Sequence, residues 1–181
     1  MLQQDEMHWF PMRVTYRREL KVKKVLDSLG VECFVPMHYE WVGDPDHPHK
    51  ALVPAIHNLI FVRSTQENLT TLKMTRQELE PMRYIMLPAQ QVRREIMVVP
   101  DRQMDNFLRV ARMQDESVMF LEYSDFIRKV GKRVRIKAGT FTGVEGVVKR
   151  IKNNKHVVVQ IEGVAAVAIT FVPPAFLELI E

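Results

Sequence analysis

The residues of this chain with the widest chemical repertoire are a single cysteine, Cys33, and the histidines His38, His47, His49 and His57. Thiolate and imidazole groups are zinc ligands, and together they form the nucleophile and base of some hydrolases. A structural zinc site needs paired ligands at short spacings plus a second cluster, whereas His47-Pro-His49 stands in a polar loop with no CxxC partner. Cys33 lies in an apolar stretch, where burial should raise the pKa of the thiol and block access to it. The sequence also contains no phosphate loop, nucleotide fingerprint or serine elbow, so we predict no metal, no cofactor and no enzyme activity.

Basic side chains are the second chemical feature. Arg17, Arg18, Lys21 and Lys24 crowd one short predicted helix, where they are either solvated or in contact with the phosphates of DNA or RNA. Residues 130–181 carry eight basic and four acidic side chains, and this net charge of +4 equals that of the whole chain. RNA or an acidic protein patch is therefore a reasonable partner for that part.

Composition restricts the class of protein. The chain has 181 residues, of which 46% are hydrophobic and 27% charged, which is typical of a globular protein and excludes collagen, coiled coil and wholesale disorder. One cysteine excludes a disulfide framework. Residues 1–7 lack a basic head followed by an apolar stretch, and no segment is apolar enough to span a membrane, so we expect a cytoplasmic monomer.

In residues 1–112, short apolar segments typical of strands alternate with segments whose apolar residues have the period of a helix. Strands are predicted at 9–16, 31–36, 59–62 and 84–87, and Ser64-Thr-Gln-Glu67 fits a capping box that opens a helix. The order β-α-β-β-α-β-α predicts an α+β fold, with a two-layer sandwich and a mostly antiparallel sheet. Apolar residues at i, i+3, i+4 and i+7 predict two amphipathic helices. The first contains Val22, Val25, Leu26 and Leu29 and ends at Gly30. The second begins at Pro100 and Asp101 and contains Met104, Phe107, Leu108 and Ala111.

The pattern changes after residue 112. Residues 113–129 break the helical pattern, and we interpret them as a linker, although the apolar residues Val118 to Leu121 could dock. From residue 130 the apolar period is two, with a hairpin predicted across Asn153-Asn154, so residues 130–181 are predicted to form a small all-β barrel.

A glycine-bracketed turn within the barrel carries a recognisable motif. Between a basic strand and an apolar strand stand Gly139, Phe141, Gly143 and Gly146. Gly139 and Gly143 would permit the turn, Phe141 would plug the barrel end, and Gly146 would let a neighbouring backbone approach. This stretch resembles a KOW motif, which implies an SH3-like barrel of the kind found in ribosomal proteins and transcription elongation factors.

The residues in front of the barrel resemble the N-terminal domain of NusG-type elongation factors. The matching pieces are Trp9-Phe10, Arg18-Glu19, Val35-Pro36, Asn58 to Val62 and Val99-Pro-Asp101, followed near the end by Phe171 to Ile180. The resemblance implies a ferredoxin-like domain that docks an apolar patch on the RNA polymerase clamp and promotes processive transcription without catalysis. The KOW domain would follow as a second module.

The resemblance places Phe10, Ile56, Leu59 and Phe61 at or beside the polymerase-binding patch. Leu59 and Phe61 share one face of their strand, while Ile60 and Val62 share the other and are interpreted as core. Arg17, Arg18, Lys21 and Lys24 could contact nucleic acid at the elongation complex. Rho or a ribosomal protein is the implied partner of the KOW domain.

Two departures from the family pattern favour a specialised member. His57-Asn58-Leu59 stands where an aromatic anchor is usual, and Glu162-Gly163 replaces an exposed aromatic residue at the barrel tip. A dedicated antiterminator of a long operon, of the RfaH or capsular-polysaccharide kind, is the resulting hypothesis. The alternative is a ribosome-associated or RNA-binding KOW module without polymerase affinity, which has no reason to expose a patch around Phe10 and Leu59.

Overall fold

The structure is a computed structural model that describes residues 6–87, 95–121 and 131–180. It divides into two compact units, one formed from Met1–Pro36 and Ile56–Asp101, the other from Met37–Ala55 and Arg102–Glu181. In the described residues the strands are β1 His8–Val14, β2 Cys33–Phe34, β3 Met37–Val42, β4 His49–Pro54, β5 Leu59–Ser64, β6 Met82–Tyr84, β7 Val118–Leu121, β8 Lys132–Ile136, β9 Glu145–Ile151, β10 Asn154–Ile161, β11 Ala165–Ile169 and β12 Leu177–Leu179. The α-helices are α1 Glu19–Ser28, α2 Gln66–Thr75 and α3 Asp101–Ala111.

The first unit is built on an antiparallel sheet with the strand order β2-β5-β1-β6. Phe10 lies opposite Val62, and Pro11 lies opposite Phe61. Side chains alternate along a strand, so Phe10 and Val62 share one face of the sheet while Pro11 and Phe61 share the other. The mixed α/β class and the antiparallel sheet agree with the sequence prediction.

Local sequence signals explain the helices of this unit. Val22 and Leu26 of α1 are buried, and Gly30 ends the helix with φ +70°, a conformation that glycine adopts without steric cost. The capping prediction for α2 was wrong by one residue. Thr65, not Ser64, caps the helix, since its hydroxyl accepts a hydrogen bond from the Asn68 backbone N–H at 3.1 Å.

The sequence did not predict the hairpin formed by β3 and β4. These strands pair from Met37 opposite Pro54 to Val42 opposite His49 and belong to the second unit. The preceding strand is shorter than predicted, because pairing is confined to Cys33 and Phe34 instead of extending over 31–36. The polar loop predicted around His47 joins the two strands of the hairpin, although His49 is already the first residue of β4.

The second unit contains a six-stranded antiparallel sheet with the order β12-β8-β9-β10-β11-β7. The turn between β9 and β10 consists of Lys152 and Asn153, with φ values of 46° and 68°, so it lies one residue before the predicted position. Positive φ at both residues is what a tight two-residue hairpin requires.

Part of the predicted linker 113–129 is a strand in this sheet. Val118–Leu121 forms β7 and pairs with β11, with Leu121 opposite Ala166. Leu121 packs in a buried apolar cluster with Ile151, Val158 and two alanines. Residues 122–129 lie outside the described part of the chain.

Helix α3 is the most strongly amphipathic helix described. Met104, Phe107, Leu108 and Ala111 are all buried, as their spacing predicted. In the described parts of the chain, no helix combines the length and the apolar character needed to cross a membrane.

Candidate functional site

The predicted polymerase-binding residues do not all share one face of the sheet. Leu59 lies opposite Arg13 and Phe61 opposite Pro11, so these side chains lie on one face, with Trp9 beside them. Phe10 lies on the other face, where its ring meets that of Tyr84 edge-on at a centroid distance of 5.8 Å. The structure therefore brings Leu59 and Phe61 together and separates Phe10 from them.

Burial restricts which of these residues a partner could touch. Phe10 and Phe61 are fully buried, and Leu59 exposes 4% of its surface. Ile56, in the turn before β5, is half-buried. In this conformation Ile56 is thus the most accessible of the four.

The turn between β1 and α1 presents an aromatic ring and two arginines. Tyr16 and Arg17 have φ values of 61° and 52°, and Tyr16 is 83% exposed. Asn58, itself at φ 61°, holds this turn, because its side-chain oxygen accepts a hydrogen bond from the Arg17 backbone N–H at 2.9 Å. The Arg18 guanidinium stands 5.5 Å from the Tyr16 ring centroid. A planar cation and a ring held together in this way form a surface on which a base or phosphate can lie.

All four predicted nucleic-acid residues lie at the surface of the first unit. Arg17, Arg18, Lys21 and Lys24 are exposed, and within the described ranges none has a carboxylate within 4.0 Å. Lys23 differs, since its ammonium pairs with Asp27 at 2.8 Å. The N-terminus of α1 adds a positive partial charge beside Arg18, so this surface is suited to an anion. Sequence reasoning missed Tyr16 because no local pattern signals its positive φ.

The glycine motif spans the turn between β8 and β9 and the start of β9, where Gly146 lies. Gly139 and Gly143 have φ values of 86° and 85°, and Phe141 is buried. A Cβ on Gly146 would lie 2.7 Å from the Val158 carbonyl oxygen, so only glycine fits between these strands without displacement.

A partly buried carboxylate connects α3 to the sheet of the second unit. The Glu145 side chain, 12% exposed, accepts hydrogen bonds from Arg135 at 2.7 Å and from Arg102 of α3 at 2.6 Å. The Glu145 backbone N–H donates to the Asn106 side chain at 3.2 Å, and Arg109 donates to the Thr142 carbonyl. The hydrogen bond from Arg135 is the largest cause that lowers the pKa of Glu145 below its usual value. This arrangement binds α3 to strand β9 but contains no reactive group.

Cys33 and the histidines do not converge. Within the described ranges, no three His, Cys, Asp or Glu side chains lie close enough together to hold a metal ion. Burial raises the pKa of the Cys33 thiol to about 12, and its Sγ donates to Asp27 Oδ1 at 3.5 Å. A thiol in this state is a poor nucleophile at neutral pH.

The hairpin of β3 and β4 exposes aromatic residues that the sequence analysis did not assign. Tyr39 and Trp41, two residues apart on one face, are both more than half exposed. The Lys50 ammonium lies 5.5 Å from the Trp41 ring centroid. The spacing of these residues was visible in the sequence, but without a predicted hairpin it had no structural meaning.

Comparisons with known proteins identify the class. The family model described as transcription termination factor nusG matches residues 7–108, more than half of the chain. The chain therefore belongs to the NusG family, whose members are non-enzymatic transcription factors that typically bind RNA polymerase.

A solved structure that concerns domain interaction in Thermotoga maritima NusG is similar to this chain. It is 19% identical, covers 99% of this chain and 100% of the other, and superposes with a TM-score of 0.48. A search of the curated proteins returned no match.

Proposed function

We propose that this chain is a transcription elongation and antitermination factor that binds the RNA polymerase clamp through residues 1–112 and promotes processive transcription. The observation that carries the proposal is the family match over residues 7–108, the part of the chain in front of the barrel. A ribosome-associated or RNA-binding KOW module without polymerase affinity, the alternative, has no need of that part.

The polymerase contact is proposed on the face of the sheet that contains Leu59 and Phe61, with Ile56 at its margin. Since Leu59 and Phe61 are buried here, a partner would reach them only after a change of conformation. Phe10 supports the sheet from the other face through Tyr84 and does not touch the partner. Buried apolar anchors of this type contribute most of the free energy of many protein interfaces.

The surface formed by Tyr16, Arg17, Arg18, Lys21 and Lys24 is proposed to contact nucleic acid at the elongation complex. Exposed cations without acidic partners bind phosphates with little desolvation cost, and they position a protein without reading bases. An exposed ring beside Arg18 favours a single-stranded segment, whose bases are free to stack.

The barrel, residues 130–181, is proposed to be a KOW domain that recruits a second partner, with Rho or a ribosomal protein as the candidates that the family suggests. The turn after β10 presents Glu162 and Gly163 instead of an aromatic residue, which favours a specialised member acting on a long operon, such as one for a surface polysaccharide.

The test is deletion of the gene in its own organism, followed by measurement of transcript abundance along each operon. We expect the ratio of promoter-distal to promoter-proximal RNA to fall in one or a few long operons and to recover with the wild-type gene. An unchanged ratio in every operon would overturn the proposal.

A matched pair of variants then tests the docking face. Ile56→Ser removes a half-buried apolar side chain from the turn before β5, and we expect it to restore the ratio poorly. Leu20→Ser removes an exposed leucine from α1 and should restore it fully. Equal restoration by both variants, at equal protein levels, would contradict the placement of the contact.

A further inference from the structure

A groove in the second unit has no role in the function proposed above. It has a volume of about 440 Å³, within the range of roughly 300–1,000 Å³ that is usual for ligand sites. Valines 134, 148 and 157 belong to the central strands β8, β9 and β10, and Leu177 and Leu179 to the outer strand β12. The remaining lining residues are Gly131, Lys132, Lys155, His156, Val172 and Pro174.

Strand register places the valines, leucines and lysines of the strands that line the groove on one face of the sheet. Leu179 lies opposite Val134, while Val148 lies opposite both Lys132 on one side and Val157 on the other. Residues directly opposite each other in antiparallel strands project to the same face. Leu179 is 66% exposed, so the wall on the side of β12 is open to solvent.

Two lysines at the edge of the groove lack acidic partners. Lys132 and Lys155 are exposed, and neither has a carboxylate within 4.0 Å in the part of the chain that the structure describes. Arg135, by contrast, projects to the opposite face and meets Glu145 and Glu178 there. The groove thus combines an apolar floor with positive charge that is not neutralised.

We propose that this groove binds an extended segment of a partner protein in which an aliphatic side chain stands at one end of a pair of carboxylates. The aliphatic side chain would enter between Val134, Val148 and Leu179, and the carboxylates would reach Lys132 and Lys155. These lysines are two strands apart and offset by two residues along the strands, which separates their Cα atoms by roughly 12 Å. An extended peptide covers that distance in about three or four residues, so the acidic residues should have that spacing.

The lining favours such a peptide over RNA. Proteins that bind single strands stack bases on aromatic rings, and no Phe, Tyr or Trp lines this groove. An aliphatic floor instead suits a leucine, isoleucine or valine, and its burial would supply the larger part of the affinity. Lys155 is near the start of β10, whereas Glu162 follows the end of that strand, so the groove is separate from the tip at Glu162 and Gly163.

The experiment selects ligands for the purified full chain from a displayed library of random linear peptides. We expect enrichment of sequences in which an aliphatic residue adjoins a pair of acidic residues that are three or four positions apart. A synthetic copy of the most enriched peptide is then measured by fluorescence anisotropy. The variant Lys132→Gln with Lys155→Gln should bind it about fivefold to tenfold more weakly, which matches the loss of two partly exposed ion pairs.

Two further variants complete the design. Leu179→Asn removes the aliphatic wall at an exposed position, so the chain should stay folded while binding falls; circular dichroism checks folding for every variant. Lys137→Gln with Lys152→Gln removes two exposed lysines that do not line the groove and should leave binding unchanged.

Three results would overturn the proposal. The first is a selection without enrichment of acidic and aliphatic residues. The second is that the Lys132 and Lys155 double variant binds the selected peptide as tightly as the wild type. The third is that the wild type and the Lys137 and Lys152 variant bind a labelled single-stranded RNA while the Lys132 and Lys155 variant does not. No step requires RNA polymerase, so the outcome is independent of the transcription experiment.

Discussion

Asn58 shows how a single residue prepares a surface. It stands directly before Leu59, the aliphatic residue in the place of the family's aromatic anchor, and its side chain accepts a hydrogen bond from the Arg17 backbone N–H while its carbonyl accepts one from Val14. Asparagine also tolerates the left-handed conformation found here. Asn58 thus supports the turn that carries Tyr16 and Arg17.

Asn58→Ala should therefore destabilise the chain by roughly 2 kcal/mol, through the strain of positive φ and the loss of one hydrogen bond. Urea unfolding measures this change. Asn58→Asp keeps an acceptor and tolerates the same φ, so it should cost much less. Equal losses in the two variants would show that the bond to Arg17 has no importance.

The Cys33 thiol should react slowly with alkylating reagents, because only the thiolate attacks and burial raises its pKa to about 12. At pH 8 the alkylation rate of the folded chain should be far below that of the chain unfolded in urea. The rate of the folded chain should keep rising above pH 9, whereas the rate of an exposed thiol levels off there. The Asp27 carboxylate contributes to the raised pKa, so Asp27→Asn should react faster. A native rate equal to the unfolded rate would contradict this account.

At the scale of elements, close approach of β9 and β10 depends on Gly146. Gly146→Ala would place a methyl group 2.7 Å from the Val158 carbonyl oxygen, and the resulting displacement should cost roughly 1–3 kcal/mol. Gly163→Ala is the comparison, since a Cβ there meets nothing within 4 Å and only the strain of positive φ is added. Thermal unfolding of both variants tests the ranking, and a smaller loss for Gly146→Ala would contradict it.

The basic turn and helix α1 should bind nucleic acid through phosphates. Lys21→Gln with Lys24→Gln should weaken binding of a labelled single-stranded DNA and reduce the slope of log affinity against log salt by about 1–2. Arg76→Gln with Lys137→Gln removes the same charge from exposed positions elsewhere and serves as the control. A slope that stays the same in both variants would exclude a contact at α1.

The elements differ in how far the sequence predicted them. Helices α1 and α3 and strands β8 to β10 follow directly from their apolar periods. Alternation within β5 also separated Leu59 from Ile60 correctly. The sequence analysis placed Phe10 beside the same patch as Leu59, but the two side chains lie on opposite faces of the sheet. Their faces depend on the register between β1 and β5, and that register is set by residues far apart in the chain. The hairpin of β3 and β4 was missed for a similar reason, since a long polar loop gives no tight-turn signal.

At the scale of the whole molecule, Glu145 makes part of the stability depend on acid. The pKa of a paired carboxylate is lower in the folded chain than in the unfolded chain, so this stability is complete above about pH 5 and is lost as the pH falls through the lowered value. Glu145→Gln should unfold more easily at neutral pH, and its stability should fall less than that of the wild type between pH 6 and 3, roughly.

Urea midpoints measured across that pH range test this prediction. Glu178→Gln is a suitable control, because Glu178 is half-exposed and contacts Arg135 only at 3.8 Å. The same acid dependence in wild type and Glu145→Gln would show that other carboxylates dominate.

The bonds from α3 to strand β9 also affect how this chain can be divided for study. The family match ends at residue 108, inside α3, and a fragment cut after residue 112 would keep Arg102, Asn106 and Arg109 while losing Glu145 and the Thr142 carbonyl. Such a fragment would display a helix surface that the intact chain covers. Affinities obtained from the isolated first 112 residues would therefore describe a different surface from the one that the complete chain offers its partners.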